Sequence, residues 1–117
     1  MEAQGLLSVI ERLDESFVRA IEMMQRCKGK LVVTGVGKSG LICAKIAATL
    51  SSTGTPAFYL HAGDAVHGDL GMVMPDDVVI TISNSGETDE ILKLLPHFKH
   101  HGLKLIAITG NPQSTLA

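Results

Sequence analysis

Two short segments hold most of the side chains in this chain that could do chemistry. Gly35-Val36-Gly37-Lys38-Ser39-Gly40 follows the apolar run Leu31-Val32-Val33-Thr34, and Ser83-Asn84-Ser85-Gly86-Glu87-Thr88 follows Val78-Val79-Ile80-Thr81-Ile82. Each lies between a β-branched run and an amphipathic stretch, so each sets free backbone N–H groups and hydroxyls at the start of a helix. Such a place favours an anion, because unpaired amide donors and the positive end of the helix dipole coincide there. Ser39, Ser83, Asn84, Ser85 and Thr88 are donors able to grip a phosphate, and Lys38 can neutralise it or a developing oxyanion. Ser85 and Thr88 equally suit plain N-capping, and capping and binding can coexist. Glu87, Asp89 and Glu90 crowd the same end and would repel a dianion unless they point outward. His67 lies in a loop rich in His, Asp and Gly, where an imidazole titrating near neutrality can serve as general acid or base. The pattern implies a pocket for a small phosphorylated molecule.

Two nucleotide-binding readings fit less well. Gly37-Lys38-Ser39 resembles the end of a P-loop, but that motif needs a glycine five positions before Gly37, where Val32 stands. Gly35, Gly37 and Gly40 do satisfy the dinucleotide fingerprint. However, the acid that should follow about 20 residues on is missing, since none occurs between Gly40 and Asp64. A tight turn that only packs remains open as the plain reading of the glycines.

Composition narrows the class. The 117 residues suffice for one domain, and 45% hydrophobic content supplies a core. With 3% aromatics and a net charge of −2 spread along the chain, neither base stacking nor a phosphate-backbone footprint is expected, so no nucleic-acid partner is predicted. No stretch approaches the roughly 18 apolar residues of a membrane span, and no basic-then-apolar leader follows Met1. Cys27 and Cys43 lack metal or redox spacing and read as small buried hydrophobes of a reduced, cytoplasmic protein.

The elements that must hold these loops follow from periodicity. Leu6, Ile10, Leu13, Phe17, Ala20, Ile21 and Met24 recur at spacings of three and four, predicting one amphipathic helix over about residues 5–27. A strand over 31–34 is followed by a helix over 40–52. Leu41, Ile42, Ala44, Ile46, Ala47 and Leu50 make that helix apolar enough to predict packing on the sheet. A second strand covers 57–60, a polar loop 61–71 and a third strand 78–83. A helix over 88–101, with Gly102 as its stop, leads to a fourth strand over 103–109. Apolar strands separated by helices imply an α/β fold, a parallel sheet covered on both faces, with flavodoxin-like order 2-1-3-4. His97, His100 and His101 read as a solvated helix face, and Asp64 and Asp69 as loop caps. Asn111-Pro112-Gln113-Ser114 reads as a helix start, and the sequence given stops at Ala117 before one turn can form. A sheet edge and a covering helix are therefore expected beyond it.

Taken together, the strand–GVGKSG–helix, SSTGTPAFYLHAGDAVHGDLGMV, SNSGETDE and ITGNPQS resemble the sugar-isomerase (SIS) domain, and more narrowly the bacterial arabinose-5-phosphate isomerases. The SNSGET loop marks phosphosugar-binding SIS domains in general. The combination of Gly37-Lys38-Ser39-Gly40 with His67-Gly68-Asp69-Leu70-Gly71 is more specific to the isomerases, while Asp64 replaces a glutamate frequent in relatives. The resemblance implies a three-layer α-β-α SIS domain over residues 1–117, incomplete at its C-terminus and without the regulatory CBS modules that often follow. It implies interconversion of D-arabinose 5-phosphate and D-ribulose 5-phosphate through an enediol, feeding synthesis of the octulosonate sugar of lipopolysaccharide. On this pattern Lys38, His67 and Glu90 are catalytic. Gly54, Thr55 and His61 join the serine loops in lining the sugar site, and His61 falls where zinc has been placed in relatives, although no cofactor is required. A homotetramer with shared active sites is the family expectation. A non-catalytic phosphosugar sensor, as in SIS-containing transcriptional regulators, is the rival from another class.

Overall fold

The computed structural model describes residues 2–66 and 68–117, so His67 lies outside the described residues. Four parallel strands, β1 (Leu31–Gly35), β2 (Ala57–His61), β3 (Val78–Ile82) and β4 (Lys104–Ile108), form one sheet in the order β2-β1-β3-β4. This is the order expected from the sequence. Parallel pairing buries the central strands on both faces, and β1 is buried at every position, Leu31 to Gly35.

Alternation along the strands divides the core. Val32, Val79 and Leu60 face one layer, made of α4 (Ala62–Val66), α5 (Asp89–Leu92) and α6 (Leu95–His100), where they meet Ala62, Ala65, Ile91, Leu94, Phe98 and Leu116. Leu31, Val33, Val78 and Ile80 face Cys43 and Ala47 of α3 (Lys38–Ser52), with Met23 and Met24 of α2 (Glu15–Gln25) packed alongside. At the amino edge the buried Asp77 accepts the amides of Lys30 (2.7 Å) and Met74 (2.8 Å), with the Lys30 ammonium 3.6 Å away, so β1 and β3 start in fixed register.

Several elements differ from expectation, each for a local reason. The helix expected over 5–27 is two, α1 (Glu2–Arg12) and α2. Asp14 takes extended backbone angles and its carboxylate accepts the Ser16 amide, capping a new helix start. The helix expected over 88–101 is also two, because Pro96 has no N–H to continue the ladder and residues 93–94 form a turn before α6. Within the expected loop 61–71, His61 closes β2, Ala62–Val66 form α4, and a 3₁₀ turn spans Asp69–Met72. Leu41 and Ile42 do not pack on the sheet: α3 buries Gly40, Cys43 and Ala47, which leaves both residues on its flank, 75% and 54% exposed. Cys43 is buried as expected; Cys27 is only half-buried. Among the described residues no helix is long and apolar enough to cross a membrane.

The last residues return to the β3–α5 loop instead of starting a helix. Leu116 is buried in the first core layer and its amide donates to the Gly86 carbonyl at 3.1 Å. The Glu87 carboxylate accepts the Thr115 amide at 2.6 Å and hydroxyl at 2.8 Å. These two hydrogen bonds hold the Glu87 carboxyl below its ordinary range. A carboxylate lowered on folding contributes stability that is present above its unfolded value, about 4.3, and lost as pH falls through the folded one. Glu87→Gln should therefore lower the urea midpoint near pH 7, and the gap from the parent should close as both are acidified toward pH 3. A gap of constant size across that range would remove Glu87 from the strap.

Candidate functional site at the carboxyl edge of the sheet

In the order β2-β1-β3-β4 the chain leaves β1 toward one side and β3 toward the other, so the loops after these two adjacent strands diverge and open a crevice. The sequence-predicted Lys38 and Ser39 lie on the first loop; Ser83, Asn84, Ser85, Thr88 and Glu90 lie on or just after the second. Because Thr34 pairs with Thr81 in register, both loops leave the sheet at the same level.

The β1–α3 loop is built for close approach. A Cβ at Gly35 would lie 2.9 Å from the Cys43 sulfur, and one at Gly40 would lie 2.7 Å from the Tyr59 hydroxyl, so α3 can sit this near β1 and β2 only with glycine at both places. Gly40 and Leu41 are the first amides of α3 to find backbone carbonyls, those of Val36 and Gly37. No backbone carbonyl among the described residues takes the Lys38 or Ser39 amide, so both stay free at the start of a 15-residue helix. Lys38 is exposed, Ser39 is half-buried, and no carboxylate among the described residues pairs with the Lys38 ammonium. Two amides, a helix dipole, a hydroxyl and a cation thus lie together at one helix start, a combination suited to an anion.

The β3–α5 loop works differently. Ser83 is 2% exposed, and its hydroxyl accepts the Gly86 amide (3.0 Å) and pairs with the Thr88 hydroxyl (2.7 Å). Ser83 therefore shapes the loop from beneath, whereas its residue type and position suggest a gripping group. Thr88 stands at the helix start without a side-chain capping bond; its hydroxyl goes to Ser83. Gly86 is held at φ +70, and any Cβ there would collide with Ser114, so the turn requires glycine twice over. Asn84 and Ser85 are exposed, with the Ser85 oxygen accepting the Glu87 amide at 3.1 Å and its proton left to donate. Since α5 has only four residues, its dipole is small, and what this loop offers an anion is mainly hydroxyl and amide donors. The crowd of acids is partly resolved: Glu87 turns to Thr115, while Asp89 and Glu90 stay exposed on the first turn of α5.

The remaining predicted residues divide by place. His61 ends β2 opposite Gly35, on the same edge as the two loops. Gly54 and Thr55 precede β2 at the amino edge, and the chain does not bring them to Lys38 or the serine loop. His61 also fits a zinc ligand poorly. Its Nδ1 accepts the Gly63 amide at 3.1 Å and the Asp64 amide at 3.4 Å, so the proton resides on Nε2, the nitrogen that faces away from those donors. A metal-bound imidazole needs one nitrogen lone pair for the metal and usually donates a proton from the other. Among the described residues no group of three or more His, Cys, Asp or Glu side chains could complete a site. Residue type alone attaches no weight to Tyr59, the only tyrosine, whose hydroxyl donates to the Gly35 carbonyl at 3.3 Å.

Comparison with known proteins accords with this geometry. The model of the SIS domain family matches residues 23–117. The arabinose 5-phosphate isomerase KdsD of Yersinia pestis is 53% identical over 116 residues, 99% of this chain but 35% of the relative. The chain thus spans about a third of the length of that protein. A solved Escherichia coli CFT073 protein in complex with arabinose 5-phosphate superposes with a TM-score of 0.94 at 53% identity, covering 99% of this chain and 62% of that one. Vibrio vulnificus NanR, solved with ManNAc-6P, has the same fold (TM-score 0.85) at 19% identity over 97% of this chain and 43% of its own. The likeness to NanR carries the fold alone and leaves the reaction to the loops. Built on a parallel α/β sheet with two divergent glycine-containing loops at its carboxyl edge, and matched over residues 23–117 by the family model, this chain belongs to the SIS domain family.

Proposed function

We propose that this chain forms the phosphosugar-binding part of an aldose–ketose isomerase acting on D-arabinose 5-phosphate and D-ribulose 5-phosphate. One observation carries the reading: a 53%-identical protein with a nearly superposable backbone is solved in complex with arabinose 5-phosphate, and the two loops described above supply donors suited to a sugar phosphate. The relatives at 51–53% identity that bear the isomerase name support the same substrate.

The reaction sets three requirements. The phosphate must be held, a base must take the proton from C2 of the aldose and return one to C1, and the enediolate oxygen must be stabilised between those steps. The amides of Lys38 and Ser39 and the side chains of Asn84 and Ser85 are free to hold the phosphate. Lys38 is the cation available for phosphate or enediolate. Glu90, exposed at the start of α5, and His67, outside the described residues, are the proposed proton carriers. No step is assigned to a metal, since His61 is already engaged through Nδ1.

The reading also implies a cytoplasmic homo-oligomer, a tetramer by family pattern. Support comes from α1, which buries no residue and exposes Leu6 (72%) and Ile10 (63%), and from the place of Gly54 and Thr55 at the amino edge, apart from Lys38 and the serine loop of the same chain. Sedimentation at micromolar concentration should show association; monomer alone would count against a shared site.

Replacing the matched segment of the Yersinia relative by this chain gives a full-length protein for assay. Arabinose 5-phosphate in D2O should yield ribulose 5-phosphate carrying deuterium at C1. Lys38→Ala in that protein should lower turnover about 10²–10³-fold, the loss typical of one oxyanion donor, and His67→Ala at least about a hundredfold. Binding without turnover would make this a sensor module, and unchanged turnover in either variant would remove that residue from the mechanism.

A further inference from the structure

We propose that Tyr59 is a positioning residue, whose hydroxyl clamps the β1–α3 loop and so sets the shape in which Lys38 and Ser39 meet an anion. The inference rests on the phosphosugar reading for the identity of that anion, but the clamp itself stands on geometry within the chain.

Tyr59 lies on β2, next to β1, and points to the α3 side of the sheet with Ala57, Cys43 and Ala47. Its hydroxyl touches the loop at both ends. It donates to the Gly35 carbonyl at 3.3 Å, where the chain leaves β1, and lies where a Cβ of Gly40 would come within 2.7 Å, where the loop has become helix. The four residues between those points, Val36 to Ser39, carry the open amides and the free cation. A loop tied at its start by this hydrogen bond and bounded at its end by the same oxygen loses less further entropy on binding, which favours affinity through preorganisation. Tyr59 also meets His61 edge-on, with ring centroids 6.2 Å apart at 82°, so one phenol adjoins both the anion loop and the imidazole at the end of β2. Partial burial, with Cys43 and Asp64 nearby, holds the phenol above its ordinary value, and it remains a hydrogen-bond donor through the neutral range.

The clamp explains why the loop needs glycine at position 40. It also separates Tyr59 from an ordinary core aromatic. Removing only its oxygen should leave packing intact and disturb one loop.

Amide hydrogen exchange on the parent chain and on Tyr59→Phe tests this without a ligand. Exchange at Gly40 and Leu41 should accelerate about threefold to tenfold, the range for one hydrogen bond, while Gly86 and Leu116 keep their parent rates. Unchanged rates at Gly40 and Leu41 would overturn the clamp, and uniform acceleration across the sheet would reduce Tyr59 to a structural residue. Titration with arabinose 5-phosphate should then show weaker binding by a similar factor in Tyr59→Phe. A parent chain that ignores the sugar phosphate would defeat the functional reading, with the exchange result still deciding the clamp. Gly40→Ala supplies a second arm: its disturbance of the loop should shrink in the Tyr59→Phe background, where the oxygen it would strike is gone. Equal disturbance in both backgrounds would contradict the proposal.

Discussion

The pairing of β1 with β3 is the constraint on which the remaining structure depends. These two strands run parallel and in register from Leu31 opposite Val78 to Thr34 opposite Thr81, although α3, β2 and α4 intervene along the chain. That ladder lies in a part of the core closed to water, with Val32, Val33 and Val79 at 0% exposure. Slipping the register by one residue would reverse both faces at once and place Leu31, Val33 and Ile80 where Val32 and Val79 belong. The buried Asp77 carboxylate guards against this at the amino edge by accepting amides on both sides of the pair. The crevice at the opposite edge exists because the connections from these two strands leave in different directions.

Under the proposed function, the two loops at that crevice divide the work of holding an anion. The first relies on a long helix, two open amides and an exposed cation, and is kept narrow by glycines that admit Cys43 and Tyr59. The second has almost no helix behind it. It uses one buried serine to fold itself, leaves Asn84 and Ser85 facing outward, and is tied from behind by Glu87 and the residues around Thr115. That tie also bears on the crowding of acids at this end, because the Glu87 carboxylate is engaged by two hydrogen bonds from Thr115.

Much of this is legible in the residues. Continuous apolar runs separated by amphipathic stretches specify a parallel sheet, and the order expected by analogy with flavodoxin-like folds is the one observed. The helix breaks are hidden because periodicity continues through them. Leu13 and Phe17 keep the spacing on either side of Asp14, yet a local carboxylate–amide bond ends one helix and begins another. Pro96 is visible in the sequence, but the Leu92–Leu95 apolar spacing masks its effect on the ladder. Within the site, residue types identify the donors while giving no sign of which are buried. Ser83 and Ser85 look alike in sequence, and only the turn at Gly86 separates the one beneath the loop from the one at its surface. Tyr59 escapes notice because an aromatic in an apolar strand reads as core, and its oxygen gains meaning only through two glycines that are distant in sequence.

Two loops that together receive a sugar phosphate must respond to it together. A titration of the ¹⁵N-labelled chain with arabinose 5-phosphate, followed residue by residue in NMR spectra, would show whether they do. Amides from Gly37 to Gly40 and from Asn84 to Thr88 should shift with one shared dissociation constant, while those around Asp77 at the amino edge stay still. Shifts confined to the amino edge, or none at millimolar sugar phosphate, would contradict joint reception by the two loops.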